Sequence, residues 1–537
     1  MKRRLCLCIL LAAVSFLDAQ IIHDPNDRLY RDLDLWAARG YITRTLPMVR
    51  PYPAQLIDLL LEEVIEGGDE SAALAAARYQ EALSPGSRIL HGGFTGSVEG
   101  LDGDASLLGA PFVDGTLWLR NWLAGSFSMF VYGSTMDPGS GYNVPGTYSP
   151  YPDMISDVSD MGVLRILQNW TSALAIGTGD FYFQSGLVRS SLGPFYGNGL
   201  IVGPQASRAG HFGLAYLRPK WSFEMLWLEL VASDTRGNNR FPNKHMAAHI
   251  FSFRPVPEFE ISFLESIVWG GRIEPLYMIP FNQLFAAQSM ADFGDNSFIG
   301  LLIRWAFAPN ALFLTQLYID DLHFNDMIRF HFNTKYKLAG ELGIVWAPPE
   351  GPLLSLEADY TAVLPYMYTH MYSLDPTTFQ DRYTNPRANY QDYSHAGKNL
   401  GPGLEPNSDR ISLRSFWKTL PGLDLGLSAY LVRHGNASKN MIEEGLMDGT
   451  WHDGSIFDDG STDDGGDNNY RRLRFLVQPY LEIKLAGGIS LLWRFSPAFG
   501  DFTLGAEYTA EYGWNRGGIP ENNGFLHYWS LGGTYRY

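Results

Sequence analysis

From Phe94 to the C-terminus, apolar and polar residues alternate with a period of two, the pattern of strands that keep one face apolar. The clearest run is Ile328 to Trp346. Ile328, Phe330, Phe332, Tyr336, Leu338, Leu342, Ile344 and Trp346 share one face, and Arg329, His331, Lys335, Lys337 and Glu341 share the other. Leu354, Leu356, Ala358 and Tyr360 oppose Ser355, Glu357 and Asp359; Phe259, Ile261 and Phe263 oppose Glu258, Glu260 and Ser262. A sheet packed in a soluble sandwich buries its second face. These second faces carry charges, so the pattern predicts lipid outside and water inside, as in a transmembrane barrel.

The connections support this. Turns at 217–220, 255–257, 308–310, 347–352 and 419–422 are short, whereas 135–162, 189–210, 269–296, 365–408 and 435–470 are long. Short and long connections alternate in bacterial barrels, with an even number of strands. The expected fold is an all-β transmembrane barrel of about 18 antiparallel strands. The last strand, Phe525 to Tyr537, carries Phe525, Trp529, Leu531, Tyr535 and Tyr537 on one face and is expected to close against the strand near Phe94. Leu473 to Phe495 reads as one bent strand, with a hairpin at Ala486-Gly487-Gly488 as the alternative.

Before Phe94 the period is helical. Asp24-Pro25 reads as an N-cap with proline at N1, followed by Leu29, Leu33, Trp36 and Ala37 on one stripe, and Gly40 stops that helix. Pro51-Tyr52-Pro53 opens a second helix carrying Leu56, Leu60 and Val64; Ser71 to Leu83 forms a third. Residues 20–90 are thus expected to form a small helical bundle on the periplasmic end of a barrel at 91–537, as a support or as a surface for a periplasmic or export-machinery partner.

Composition agrees. Aromatic residues make up 14% of 537 residues, charged residues only 18%, and glycine numbers 56, suiting many strands and turns with an apolar outer face. The net charge of −17 argues against a nucleic-acid partner. Lys2, Arg3 and Arg4 precede an apolar run from Leu5 to Phe16, which reads as a signal peptide cleaved after Ala19; an exported chain can be periplasmic, secreted or an outer-membrane barrel, and the strand pattern makes the outer membrane the expected location. Cys6 and Cys8 both lie within it, leaving no cysteine for a disulfide, metal site or nucleophile beyond residue 19.

Three stretches together resemble the Wzi-type capsule assembly family of outer-membrane proteins. Residues 29–61 carry a helix ending in a glycine step, then Arg50-Pro51 and a second helix. Residues 186–214, GLVRSSLGPFYGNGLIVGPQASRAGHFGL, resemble the family's arginine and glycine-proline segment through Arg189, Gly193, Pro194 and Gly199, with Leu192 where a tryptophan is common. Residues 390–413, YQDYSHAGKNLGPGLEPNSDRISL, match its loop segment through Tyr393, His395, Gly397, Leu400, Gly401, Asp409 and Arg410. The resemblance implies a lectin-like barrel that holds extracellular polysaccharide at the outer membrane.

The candidate glycan contacts are Tyr383, Arg387, Tyr390, Tyr393 and His395, with Arg189. Tyrosine rings stack on sugar faces, and arginine grips uronate or phosphate groups with two bonds. The same aromatics also suit a plug or an interface girdle. Asp448, Asp453, Asp458, Asp459, Asp463, Asp464 and Asp467 offer oxygen ligands for calcium within 439–469, without an EF-hand register; a solvated loop is the plainer reading. No metal or cofactor is assigned. Lumen-facing charges of both signs, including Lys335, Lys337, Arg472, Arg474, Glu357 and Asp359, either pair across the lumen or line a channel. No nucleophile elbow, zinc-binding HExxH or phosphate loop is present, so no enzymatic role is expected. The competing function is a porin for passive diffusion of small solutes.

Overall fold

The computed structural model describes residues 24–83, 90–119, 122–135, 159–161, 164–232, 244–322, 336–369, 390–396, 398–420, 422–435, 475–478, 480–497 and 500–537. The expected signal peptide, Tyr383, Arg387, the acidic loop and Lys335, Arg472 and Arg474 lie outside these residues, as does the first part of the run from Ile328.

Three helices come first: α1 (Arg28–Ala38), α2 (Ala54–Gly67) and α3 (Glu70–Leu83). The N-cap of α1 is Asp27, whose carboxylate accepts from Leu29 N at 2.8 Å. Asp24, the residue expected there, accepts from Asn26 N at 2.9 Å and closes the preceding turn instead. Leu33, Trp36, Leu56, Leu60, Val64 and Ala76 form a core that continues into Tyr182, Ala215 and Leu217 of the barrel. Each large apolar side chain buried this way contributes about 1.5–3 kcal/mol. Polar ties reach the same end of the barrel: Thr45 Oγ1 donates to Arg218 O at 3.1 Å, and Arg39 donates to Pro348 O at 2.6 Å.

The barrel has eighteen antiparallel strands. They are β1 (Leu90–Leu101), β2 (Asp104–Leu119), β3 (Leu123–Ser134), β4 (Leu164–Gly177), β5 (Phe181–Val188) and β6 (Ala209–Leu217). Then follow β7 (Trp221–Leu230), β8 (Lys244–Val256), β9 (Phe259–Gly270), β10 (Asn296–Ala308), β11 (Ala311–Leu322) and β12 (Tyr336–Trp346). The last are β13 (Leu353–Val363), β14 (Ser408–Leu420), β15 (Leu423–His434), β16 (Glu482–Phe495), β17 (Asp501–Trp514) and β18 (Gly524–Arg536). A short piece, Ser159–Met161, pairs with the start of β4. A fourth helix, α4 (Leu284–Met290), lies between β9 and β10.

Closure runs through β1 and β18, with Phe94 opposite Tyr535 and Leu101 opposite Tyr528, where the sequence placed it. The bundle and the turns 218–220, 257–258 and 309–310 share one end, here the turn end; the long connections share the other, the loop end. One loop-end connection is short: Asp102 and Gly103 have φ of +48° and +101°, the left-handed pair of a two-residue hairpin. Strand β16 runs unbroken through Ala486-Gly487-Gly488, paired on both sides, so the hairpin alternative fails; the strand begins at Glu482 rather than Leu473.

Face parity is as the sequence required. Leu342 and Ile344 are 51% and 47% exposed, whereas Lys337 and Glu341 on the opposite face are 0% and 2% exposed. Phe94, Phe251, Phe263, Leu356, Leu413 and Leu504 extend the exposed apolar belt around the barrel. Such a belt aggregates in water and is stable in lipid. No described helix is long and apolar enough to cross a membrane.

Candidate functional site

The three stretches singled out by resemblance converge inside the lumen. Val49–Arg50 pairs antiparallel with Ser191–Leu192, and Gly193 N donates to Met48 O at 2.9 Å. Gly203 N donates to Leu400 O at 2.6 Å, joining the second stretch to the third. His395 ties them again: its Nδ1 accepts from Val231 N at 2.9 Å, so Nε2 carries the hydrogen and donates to Arg208 O at 2.9 Å. Gly193, at φ +135° with the Gln316 amide directly over it, occupies a position that a side chain would strain and crowd.

These segments bury a hydrophobic core within the barrel. Leu192, Leu200, Ile201, Val202, Tyr393 and Leu400 pack against Leu226, Met246, Ile250, Leu264, Phe298 and Tyr318 of the wall. The Tyr393 ring stacks on Phe298 with centroids 3.9 Å apart and planes at 16°, and its hydroxyl meets Ser266 Oγ at 2.8 Å. The lumen beside β7–β12 is therefore packed with apolar side chains.

The wall charges serve this filling. Glu224 accepts from both Met48 N and Val49 N at 2.9 Å. Glu341 accepts from Asn198 Nδ2 at 2.7 Å and from Gln316. Lys244 bonds Asp392 and donates to Ser394 O at 3.0 Å. Arg414 pairs with Glu357 at 3.2 Å and Asp359 at 3.6 Å; Arg304 pairs with Glu260 at 3.6 Å. Lys337 donates to Thr369 O. None of these contacts is an ion pair spanning the lumen: Arg414–Glu357 and Arg304–Glu260 join neighbouring strands of the wall, whereas Glu224 and Lys244 bond the segments inside it. At the turn end, Arg50 is 1% exposed, donates to both Asp34 oxygens at 2.9 and 2.7 Å, and donates to Phe195 O at 3.0 Å. Burial works against the charged guanidinium, but the adjacent Asp34 carboxylate outweighs it and holds the Arg50 pKa above the usual arginine value. A small cavity between α1 and the wall is lined by Arg31, Asp34, Phe195, Arg304, Glu357 and Arg414.

The predicted glycan contacts divide. Tyr390, Tyr393, His395 and Arg189 are 3%, 0%, 4% and 8% exposed. Tyr390 lies against Gly270, and Arg189 reaches Ala206 O at 3.4 Å. The structure packs these four side chains among neighbouring protein. Glu224, Asn198 and Lys244 were not singled out from sequence. A usable signal existed: β7, β8 and β9 (WSFEMLWLEL, KHMAAHIFSFRPV, FEISFLESIVWG) carry apolar residues on both faces, which a water-filled lumen does not require.

No family model matches this sequence, and no curated protein matches it. Among solved structures, the fold is similar to Wzi of Escherichia coli, with a TM-score of 0.54 at 13% identity over 96% of this chain and 99% of that one. The architecture is that of an outer-membrane β-barrel. Wzi is a carbohydrate-binding barrel involved in group 1 capsule assembly. Pseudomonas aeruginosa OccD3 aligns with a TM-score of 0.42 at 11% identity, covering 84% of this chain and 91% of that one. Acinetobacter baumannii OccAB2 aligns with a TM-score of 0.41 at 10% identity, covering 83% and 98%.

Proposed function

We propose that this protein binds extracellular, capsule-like polysaccharide at the outer surface of the outer membrane and helps attach or assemble it there. The observation that carries this reading is the hydrophobic core inside the lumen. Passive diffusion needs a continuous water path. Here the lumen-facing side chains of β7–β12 pack on Met48–Arg50, 191–208 and 390–404 instead. A barrel filled in this way works by presenting its loop end. The 364–407 connection carries the binding surface: Tyr383 and Arg387 contact sugar, while Tyr390, Tyr393 and His395 anchor the connection to the barrel and Arg189 braces the neighbouring 189–208 segment. The helical bundle faces the periplasm, available to an export-machinery partner.

Two measurements test this. Purified protein in planar bilayers is expected to give no steady large open state, and such a state refutes the reading in favour of a porin. Retention on a column of acidic capsular polysaccharide is expected for the parent and for Tyr393→Phe, and is expected to fall for Tyr383→Ala and Arg387→Ala. Equal retention of all four removes the assignment of Tyr383 and Arg387.

A further inference from the structure

The connection between β9 and β10 does not stand above the barrel. It folds down over the outside of the wall. Odd-numbered residues of β7, β8 and β9 face outward, as the exposed Phe251 and Phe263 show. Yet outward-facing Trp227, Ala247, Ile267 and Trp269 are buried, packed under Tyr277, Leu284 and Ala287 of this connection. Its tip is Phe281, stacked on outward-facing Phe223 with centroids 4.1 Å apart. Phe223 lies seven residues down β7 from Leu230. At about 3.3 Å per residue and a tilt of about 40°, that is roughly 18 Å below the loop end, well into the apolar band.

Residues 275–291, PLYMIPFNQLFAAQSMA, contain no charged residue, whereas Arg272, Glu274, Asp292 and Asp295 flank them. The charged ends meet in a neck: Arg272 pairs with Asp295, and Tyr277 Oη donates to Asp295 at 2.8 Å. The uncharged part leaves Leu276, Ile279, Phe281, Phe285 and Met290 exposed; Phe281 is 68% exposed beyond its stack on Phe223, and Met290 89%. Backbone groups in hydrocarbon need partners. Two outward-facing polar residues of the wall supply them. His249 Nδ1 donates to Asn282 O at 2.8 Å, and Glu265 accepts from Phe285 N at 3.4 Å. Asn282 Nδ2 donates to Leu276 O at 2.8 Å, and Ala287 N and Ala291 N bond within α4 and its ends. A histidine and a glutamate on a lipid-facing wall are costly by themselves; under this cover they are hydrogen-bonded.

We propose that residues 271–295 form a flap embedded in the hydrocarbon layer of the membrane, with lipid acyl chains as the partner of its exposed apolar surface. The surface continues the apolar belt of the barrel, and its charges sit only at the neck. Both native cysteines fall within the first eight residues, so single fluorophores are readily placed after Phe281→Cys, Phe285→Cys and, at the neck, Asp292→Cys. Protein reconstituted in phosphatidylcholine vesicles is exposed to brominated acyl chains or to aqueous iodide. Labels at 281 and 285 are expected to be quenched several-fold more by brominated chains than by iodide, with the reverse at 292. Iodide quenching equal at all three positions overturns the proposal and puts the flap in water. Labels at 281 shielded from both quenchers, with disulfide-linked dimers of the unlabelled Phe281→Cys protein, overturn it in favour of a second copy. Met290→Cys, which removes almost no packing, repeats the measurement if the phenylalanine variants fail to assemble.

Discussion

Replacing Arg50 with methionine tests whether the helical bundle is locked to the lumen filling. Methionine keeps much of the side-chain length but removes two bonds to Asp34 and one to Phe195 O. Asp34, whose side chain is only 14% exposed, is left as an uncompensated carboxylate. Breaking a buried pair from one side costs about 3–5 kcal/mol, and the partial exposure of Asp34 favours the lower figure. A loss of about 3 kcal/mol raises the undocked fraction roughly a hundredfold. None of the lost bonds belongs to the strand ladder, so far-UV dichroism and heat-modifiable migration are expected to persist. Limited proteolysis reads the change: cleavage within residues 39–53 is expected to quicken about a hundredfold, since cleavage follows the open population when opening is fast. Adding Asp34→Leu removes the stranded charge and is expected to recover most of the resistance. Parent-like resistance of Arg50→Met refutes the lock, and loss of the barrel along with the bundle refutes its independence from the wall.

Tyr393→Ala removes the stack on Phe298 and the Ser266 bond and is expected to destabilise the lumen filling by about 3–5 kcal/mol, seen as flickering conductance in bilayers; Tyr393→Phe is expected to cost only about 1 kcal/mol. The buried Asp32 carboxyl is pushed up by burial, but Arg28 and Arg31 outweigh this and hold its pKa below the ordinary aspartate value. Its contribution to the docked bundle is therefore present above about pH 4 and lost as pH falls through the lower folded value. Proteolysis of the bundle in steps below pH 5 is expected to show this loss, and Asp32→Asn to flatten it. Deleting Tyr535–Tyr537 removes the Phe94–Tyr535 and Gly93–Arg536 pairs that close β18 on β1 and is expected to abolish heat-modifiable barrel in the outer membrane.

The barrel was legible because its signals are local. Parity along Leu354 to Tyr360, the even strand count and the closing strand all follow from neighbours in sequence. The N-cap shifted from Asp24 to Asp27 because two aspartates three apart offer the same chemistry, and only backbone geometry selects between them. The site was less legible. Tyr393 reads as a glycan contact because a tyrosine ring stacks on a sugar face, and His395 because it lies in the family-like segment 390–413. Their burial depends on contacts with Phe298, Ser266, Val231 and Arg208, between about 90 and 190 residues away in sequence. No period or spacing encodes a contact of that range.

One departure from alternation did carry long-range information. In β7, β8 and β9, Leu226, Met246 and Leu264 face inward, while Trp227, Ala247 and Ile267 face outward, and all six are buried. A strand between water and lipid needs one polar face; a strand apolar on both faces needs protein or lipid on both sides. Inside, the cover is the lumen filling. Outside, it is the flap at 271–295. Outward-facing His249 and Glu265 then mark where the outer cover bonds to the wall, just as inward-facing Glu224 and Lys244 mark where the filling does. Polar residues interrupting the apolar strands thus fall where non-strand backbone docks, on either side of the barrel.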